Sequence, residues 1–564
     1  MPDNISRRSL LRFGVGSAGL LVLGPLAAAC STPSAPISQS STSAATTSSS
    51  AGSAAAGTSG SAGSSAAGSV APSAGSSSPA AASGGSGTLK YARTTGPTNL
   101  DPASVIVTGD VYTLNQVFEP LYITDVKGAL QPHLATGHTV SADGRTYTFT
   151  LREGVTFSDG SPMTSADVAF SLLRNRDNKG PLSFLNGVIT GVTAPTPSQV
   201  VVALKQPWAP LISDISAFAN SIVPNKLQGK TAAQFFAAPI GTGPFVITSW
   251  TKGGTVVLGR NDRYWKTGLP YLKSVELSIV SDDNQLVQQL QGGQVDVIDS
   301  VPQANVQDIK GNSQLTVINA PQWSVDLLFF NEKVAKFADR HVRRAISHLV
   351  NQKTIAQAAT FGTAQPADSF FPPSLQYYDG SIKVLGYDVD AAKAEMAQSK
   401  FAGGFTTELL IPASNQSWNQ MAQILQEALK AVNITVKLRS IETAAYKAAF
   451  AKFDYEMMIN NAINDISDPD EMASFQIDDV NGGSTSFWTG YHNPAAIALV
   501  GRAEAELDDA KRKVLYSQIQ QTVADDAPYV PLVYPPALKA TSSKVTGFQV
   551  NPAGAVRLEN VKLS

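Results

Sequence analysis

Residues 31–87 carry no charged and no aromatic side chain, and nearly every position is Ser, Ala, Gly, Thr or Pro. A stretch of that composition cannot bury enough apolar surface to offset the entropy of ordering it. It reads as a flexible tether with a root-mean-square span of about 40 Å. Any folded body is therefore confined to residues 88–564. The full chain has 564 residues and is 43% hydrophobic, which is ample for a sizeable core. At about 150 residues per domain, several domains are expected.

Charge and sulfur narrow the function classes. Forty-two basic against 44 acidic residues give a net charge of −2, which argues against a strongly basic nucleic-acid-binding surface. The single cysteine excludes an intramolecular disulfide framework and a cysteine-rich metal cluster. Five histidines leave little material for a multi-histidine site.

Ahead of the tether stands an export signal. Arg7-Arg8 and Arg12 precede an apolar, small-residue run from Phe13 to Ala29, interrupted by Gly24-Pro25. A charged start, an apolar middle and small residues before a cut site define a signal peptide over residues 1–29. The paired arginines resemble the twin-arginine type. Cys30 follows three alanines, an arrangement similar to a bacterial lipobox, in which the cysteine is lipidated and becomes the first residue of the mature protein. Each buried methylene of such an anchor contributes about 0.8 kcal/mol. Gly14, Gly16 and Gly19 match a dinucleotide-binding pattern, but no strand precedes them, so the match is spurious.

The body alternates hairpins with strand–helix–strand units, an α/β pattern. Tyr147, Phe149 and Leu151 alternate with threonines after a turn at Asp143-Gly144, which predicts a half-buried strand. Thr164 or Ser165 is placed to cap the helix that follows. A second hairpin is expected across Lys252-Gly253-Gly254. Val275–Val280, a helix with Leu286 and Leu290 one turn apart, and Val295–Ile298 form one strand–helix–strand unit. Glu408–Ile411, a helix with Trp418, Met421, Leu425 and Leu429 on one stripe, and Ile434–Leu438 form another. Two such units in separate stretches predict at least two α/β lobes.

Catalytic signatures do not appear in the folded part: there is no His-Glu-x-x-His, no P-loop and no Gly-x-Ser-x-Gly elbow. His341 and His348 lie seven apart on an expected helix, a spacing more typical of surface or packing residues than of metal ligands. Carboxylates are plentiful, so a paired-carboxylate hydrolase stays open, but nothing singles out a pair. A binding protein is the default expectation, with no cofactor and no metal.

Several ordered blocks resemble the extracellular solute-binding proteins of family 5, the peptide- and nickel-type receptors of ABC importers. They are Asn99-Leu-Asp101-Pro102; Val117-Phe-Glu119-Pro120-Leu121-Tyr122; Tyr147 through Gly160; Gly241-Thr242-Gly243-Pro244-Phe245; Arg260 through Trp265; Phe330-Asn331; Val342-Arg343-Arg344-Ala345-Ile346; and Asp526-Ala527-Pro528. Most of these residue types suit fold maintenance. The resemblance implies a two-lobed, periplasmic-binding-protein-like clamshell with an additional domain. Lobe I would comprise 88–133, 240–325 and 521–564, the extra domain 134–239, and lobe II 326–520. It further implies a monomeric substrate-binding lipoprotein outside the cytoplasm, in the periplasm or cell-wall space. Such a protein captures a small molecule or peptide and delivers it to a membrane permease with ATPase subunits, without catalysis and without nucleic acid.

In peptide-binding members an aspartate just before an Asp-Pro pair holds the ligand's α-ammonium, and Asp465 takes that place in Asn464-Asp465-Ile-Ser-Asp468-Pro469. A partly buried carboxylate gains charge-assisted hydrogen bonds from an ammonium, and ligands lacking the amine would leave it unpaired. The other reading of this stretch is an Asx-type turn opening the next helix. Asn460, Asn461 and Ala462 stand where these members commonly carry a tryptophan, and no arginine is placed for a ligand carboxylate. Asn460, Asn461 and Asn464 would suit a neutral polar ligand such as an oligosaccharide. Trp323 and Trp488 are candidate pocket walls, whereas Trp418 is expected in the core. The ligand classes are oligopeptide first, then oligosaccharide or a nickel or other metal chelate. A tethered secreted hydrolase and a non-transport surface protein are the rivals from other classes.

Overall fold

The computed structural model describes residues 87–105, 108–479 and 489–564. The expected signal peptide, Cys30, the tether through residue 86 and Trp488 lie outside the described residues.

A seven-stranded sheet gathers pieces from both ends and the middle of the chain. Its order is Leu315–Ala320, Ala537–Ser542, Val297–Ile298, Thr88–Arg93, Ser274–Ile279, Val256–Arg260 and Phe245–Trp250. The central three strands run parallel, and the flanking pairs are antiparallel. The first strand–helix–strand unit lies here, with Asp282 capping helix Asp283–Gln291 through the Gln285 N–H at 2.9 Å. Its two strands do not touch each other, because Thr88–Arg93 is inserted between them.

A six-stranded sheet has the order Gln365–Pro366, Tyr529–Tyr534, Ser324–Phe330, Met457–Ile463, Phe405–Pro412 and Ile434–Ile441. Phe405–Pro412 and Ile434–Ile441 are parallel neighbours joined through helix Gln416–Ala428, which buries Met421, Ala422 and Leu425. Every residue of Ser324–Phe330 is buried. A strand covered on both faces reads as a near-continuous apolar run rather than an alternation, and Val325, Leu327, Leu328, Phe329 and Phe330 supply that run. Asp326 is the exception within it.

A four-stranded antiparallel sheet, Ala135–Val140, Thr146–Leu151, Gln199–Leu204 and Ile189–Thr196, carries the extra domain. Tyr147, Phe149 and Leu151 point inward, against Val168 and Leu172 of helix Ser165–Asp177. The cap of that helix is Thr164, whose N–H donates to Asp167 at 2.6 Å.

The chain passes from the seven-stranded to the six-stranded sheet through Pro321-Gln322-Trp323 and returns through Pro535-Pro536. These two short segments are the covalent links between the two large sheets at the clamshell hinge. Here the boundaries read from sequence need one correction. Residues 521–534 were expected in lobe I, but strand Tyr529–Tyr534 belongs to the six-stranded sheet. The preceding helix, Asp509–Asp526, buries Leu515, Tyr516, Ile519 and Val523 in the same core. Burial of that helix carries the strand with it, and the change of sheet waits for the two prolines.

The family-like blocks meet in space. Glu119 is fully buried and accepts hydrogen bonds from His133 (2.7 Å), Tyr264 (2.9 Å), Trp265 (2.9 Å), Thr242 (3.0 Å) and Arg557 (2.9 Å). Burial alone would raise its pKa, but His133, Arg557 and Trp265 hold the carboxyl well below the usual carboxylate range. Arg343 likewise ties its helix to the Asp526-Ala527 turn through both carbonyls. Gly241 serves close approach: a Cβ there would lie 2.0 Å from the Val117 carbonyl oxygen.

Candidate functional site

Residues from both large sheets, the extra domain and the hinge segments enclose a cavity of about 610 Å³, a size usual for small-ligand sites. Thr94, Tyr112, Asp299 and Lys539 line it from the seven-stranded side. Ile463 and Asp465 line it from the six-stranded side, Ser216–Phe218 from the extra domain, and Gln322 and Pro536 from the hinge.

Asp465 sits in the loop between strand Met457–Ile463 and helix Asp470–Ile477. That loop is fixed by its neighbours. Asn464 donates to the Asp468 carbonyl at 2.9 Å and accepts from the Met472 N–H at 2.9 Å. Asp468 is held by the Arg512 guanidinium on the last long helix. Glu471 accepts from the Asp465 N–H at 2.7 Å. The Asp465 carboxylate takes no hydrogen bond and no ion pair from any described residue. Its side chain is accessible from the cavity, yet protein encloses it, and that enclosure pushes its carboxyl above the usual aspartate value. Burial also raises Glu471, and the nearby Asp465 charge raises it further. An arriving ammonium would relieve both.

Opposite in charge, Lys539 lies on strand Ala537–Ser542 and is 5% exposed. Its Nζ donates to the Asp299 carbonyl at 3.3 Å and stands 5.3 Å from the Tyr112 ring centre. Burial brings its pKa down to about 8, with Asp299 opposing and Arg93 reinforcing the shift. The Asp299 carboxylate is itself engaged by Arg93 at 3.6 Å and by the Thr94 N–H at 3.0 Å. The trio therefore leaves one positive charge at the cavity wall. Burial raises Tyr112, which lies near both Arg93 and Asp465, to about 12, so its hydroxyl stays a donor.

A side pocket of about 260 Å³ adjoins the cavity and shares Gln303, Gln322, Ile463 and Ala553 with it. Asp326, Asn461, Trp323 and Trp418 line it. Trp418 is oriented from its backbone, whose N–H donates to the helix cap Asn415 at 3.0 Å.

The residues singled out from sequence separate in the structure. Asp465 lines the main cavity, and Asn461 and Trp323 line the side pocket. The Trp323 ring is otherwise buried, its N–H donating to the Ser374 carbonyl at 3.0 Å. Asn464 was expected at the ligand but is fully buried, and its amide is spent on the loop backbone, so it acts as the turn residue of the alternative reading. Trp418 was expected in the core. It touches the core with part of its ring and lines the side pocket with the rest. His341 pairs with Glu395 at 2.7 Å, and His348 meets the Gly386 carbonyl at 2.8 Å. Sequence reasoning missed Lys539 and Asp326. The available signal was a charged residue between two apolar neighbours within a strand, Val325-Asp326-Leu327 and Leu538-Lys539-Ala540.

Two lobes joined by paired hinge segments, enclosing a cavity that both line with charged side chains, define a solute-binding clamshell with an additional domain. Residues 129–484, more than half of the chain, match the family model described as bacterial extracellular solute-binding proteins, family 5 Middle, and the chain belongs to this family. It is similar to the di/tripeptide-binding protein 2 of Pseudomonas aeruginosa, with 28% identity over 84% of this chain and 95% of that protein. It is also similar to the glutathione-binding protein GsiB of Escherichia coli K12, with 26% identity over 83% and 92%. Among solved structures, the periplasmic binding protein DppA of Helicobacter pylori in complex with the peptide STSA superposes with a TM-score of 0.71 at 26% identity, over 85% of this chain and 98% of that one.

Proposed function

We propose that this chain is the solute receptor of an ABC importer and that its solute is a short peptide bound as a zwitterion. The observation that carries this reading is that Asp465 from the six-stranded side and Lys539 from the seven-stranded side line one cavity. An unpaired carboxylate suits an α-ammonium, and the buried lysine suits an α-carboxylate through charge-assisted hydrogen bonds. A di/tripeptide-binding relative, a glutathione-binding relative and a peptide-bound structural neighbour support the same class. Contacts from both lobes stabilise the closed form over the open one, and the permease with its ATPase subunits takes the closed form. The solute leaves unchanged, because capture needs no covalent step. The mature protein is held to the membrane by lipid on Cys30, with residues 31–87 as the tether.

Calorimetric titration with Ala-Ala, N-acetyl-Ala-Ala and Ala-Ala-amide tests the reading. The free dipeptide should bind at least tenfold tighter than either blocked form, a difference of about 1.4 kcal/mol or more. Asp465→Asn should erase the discrimination against the acetylated peptide, and Lys539→Met that against the amide. Equal affinity for all three peptides would remove the zwitterion from this site.

A further inference from the structure

We propose that the side pocket at Asp326 is a subsite for a basic side chain of the bound solute, with Asp326 as the residue that selects it. The proposal rests on the short-peptide reading of the main cavity.

Asp326 interrupts a strand whose seven residues are all buried, and it is itself 6% exposed. Asp326 lines the side pocket, which adjoins the main cavity along four shared residues. A hydrogen bond from the Trp418 side chain reaches it, and no Lys, Arg or His among the described residues pairs with it. Burying a carboxylate without a cation is costly. An apolar residue would be the stable choice at this position, as its neighbours Val325 and Leu327 show. A cation supplied by the solute removes the cost.

The walls fit the same occupant. The part-exposed Trp418 indole offers an apolar face to the methylene stem of a lysine or arginine, and a cationic head near an indole gains further. Asn415, Ser417 and Asn461 supply the polar part of the lining. The pocket volume of about 260 Å³ accommodates one long side chain while the backbone of the solute stays in the main cavity. Without a cation, burial lifts the Asp326 carboxyl to about 7, with Trp418 partly opposing. A bound ammonium or guanidinium would return it to the ionised form.

The test uses the mature protein and its Asp326→Asn variant, titrated calorimetrically with Ala-Ala, Lys-Ala, norleucine-Ala, Ala-Lys and Ala-norleucine. Lysine and norleucine share the aliphatic stem and differ in the ammonium. At one of the two positions the wild type should bind the lysine peptide at least tenfold tighter than its norleucine partner, and in Asp326→Asn that ratio should fall below threefold. A wild type that binds Ala-Ala but shows ratios below tenfold at both positions overturns the subsite and leaves the peptide reading standing. A tenfold ratio that persists in Asp326→Asn overturns the assignment to Asp326. A wild type that binds none of the five peptides overturns the peptide reading, and the subsite falls with it.

Discussion

Glu119 accepts a hydrogen bond from Arg557 at 2.9 Å across 438 positions of sequence. Glu119 belongs to one family-like block, and three of its other donors, Thr242, Tyr264 and Trp265, belong to two more. One buried carboxylate thus ties the extra domain's edge, the seven-stranded sheet and the C-terminal segment together. Breaking such a pair by removing one partner leaves an uncompensated buried charge, which costs about 3–5 kcal/mol.

Glu119→Gln should therefore lower unfolding free energy by about 3 kcal/mol at pH 7. The Glu119 pKa is held below its ordinary value of 4.5 in the folded state. Its stabilisation is therefore fully present above that value and is lost as pH falls through the folded pKa. The gap between wild type and variant should shrink as pH drops below about 4.5. Urea denaturation at neutral and acid pH measures it, and a gap of under 0.5 kcal/mol at pH 7 would refute the role given to Glu119.

Lys539 should make peptide affinity sensitive to alkali. Its pKa is lowered to about 8 by burial, with Asp299 and Arg93 as the charged neighbours and Tyr112 against it. Above that pH the side chain loses its proton, so its attraction for a carboxylate fades. The ligand's own α-amine titrates nearby, at about 8, so the comparison is with Lys539→Arg, which stays charged. Affinity measured from pH 6.5 to 9.5 should fall further in wild type than in Lys539→Arg. Identical profiles would place the lysine away from the carboxylate.

Contacts between the extra domain and the second lobe should favour closure. The Ser213 hydroxyl accepts from the Asp468 N–H at 2.9 Å and meets Ser467 at 3.0 Å. Phe184 packs edge-on to Phe475 at 5.2 Å between ring centres. Phe184→Ala removes closed-state contacts without touching the cavity wall. Because affinity scales with the competent fraction, Ala-Ala should bind about five- to tenfold more weakly, and the radius of gyration by solution scattering should rise. Unchanged values of both would show that these contacts form equally in the open state.

Cys30→Ser should move the protein from the membrane fraction to the soluble fraction, since a diacyl anchor contributes about 0.8 kcal/mol per buried methylene. Fractionation of cells expressing each form measures this, and continued membrane residence of the serine variant would exclude a lipid anchor at Cys30.

Local chemistry was legible from the residue order. Alternation at Tyr147, Phe149 and Leu151, caps at Thr164 and Asp282, and the buried stripe through Met421 and Leu425 all arise within a few residues. Backbone pleat and helix pitch impose their periods at that range. The eight blocks were enough to place the chain in its family, and Asp465 was singled out by its position before Asp468-Pro469; the structure puts it on the wall of the main cavity. What the tertiary structure alone decided were relations between distant segments. Thr88–Arg93 slides between two strands of one unit, strand Tyr529–Tyr534 changes lobe, Lys539 lines the main cavity and Asp326 lines the pocket beside it. No local pattern encodes which walls a charged side chain will face. Those walls come from segments hundreds of residues apart, and only the burial of all of them at once fixes their order.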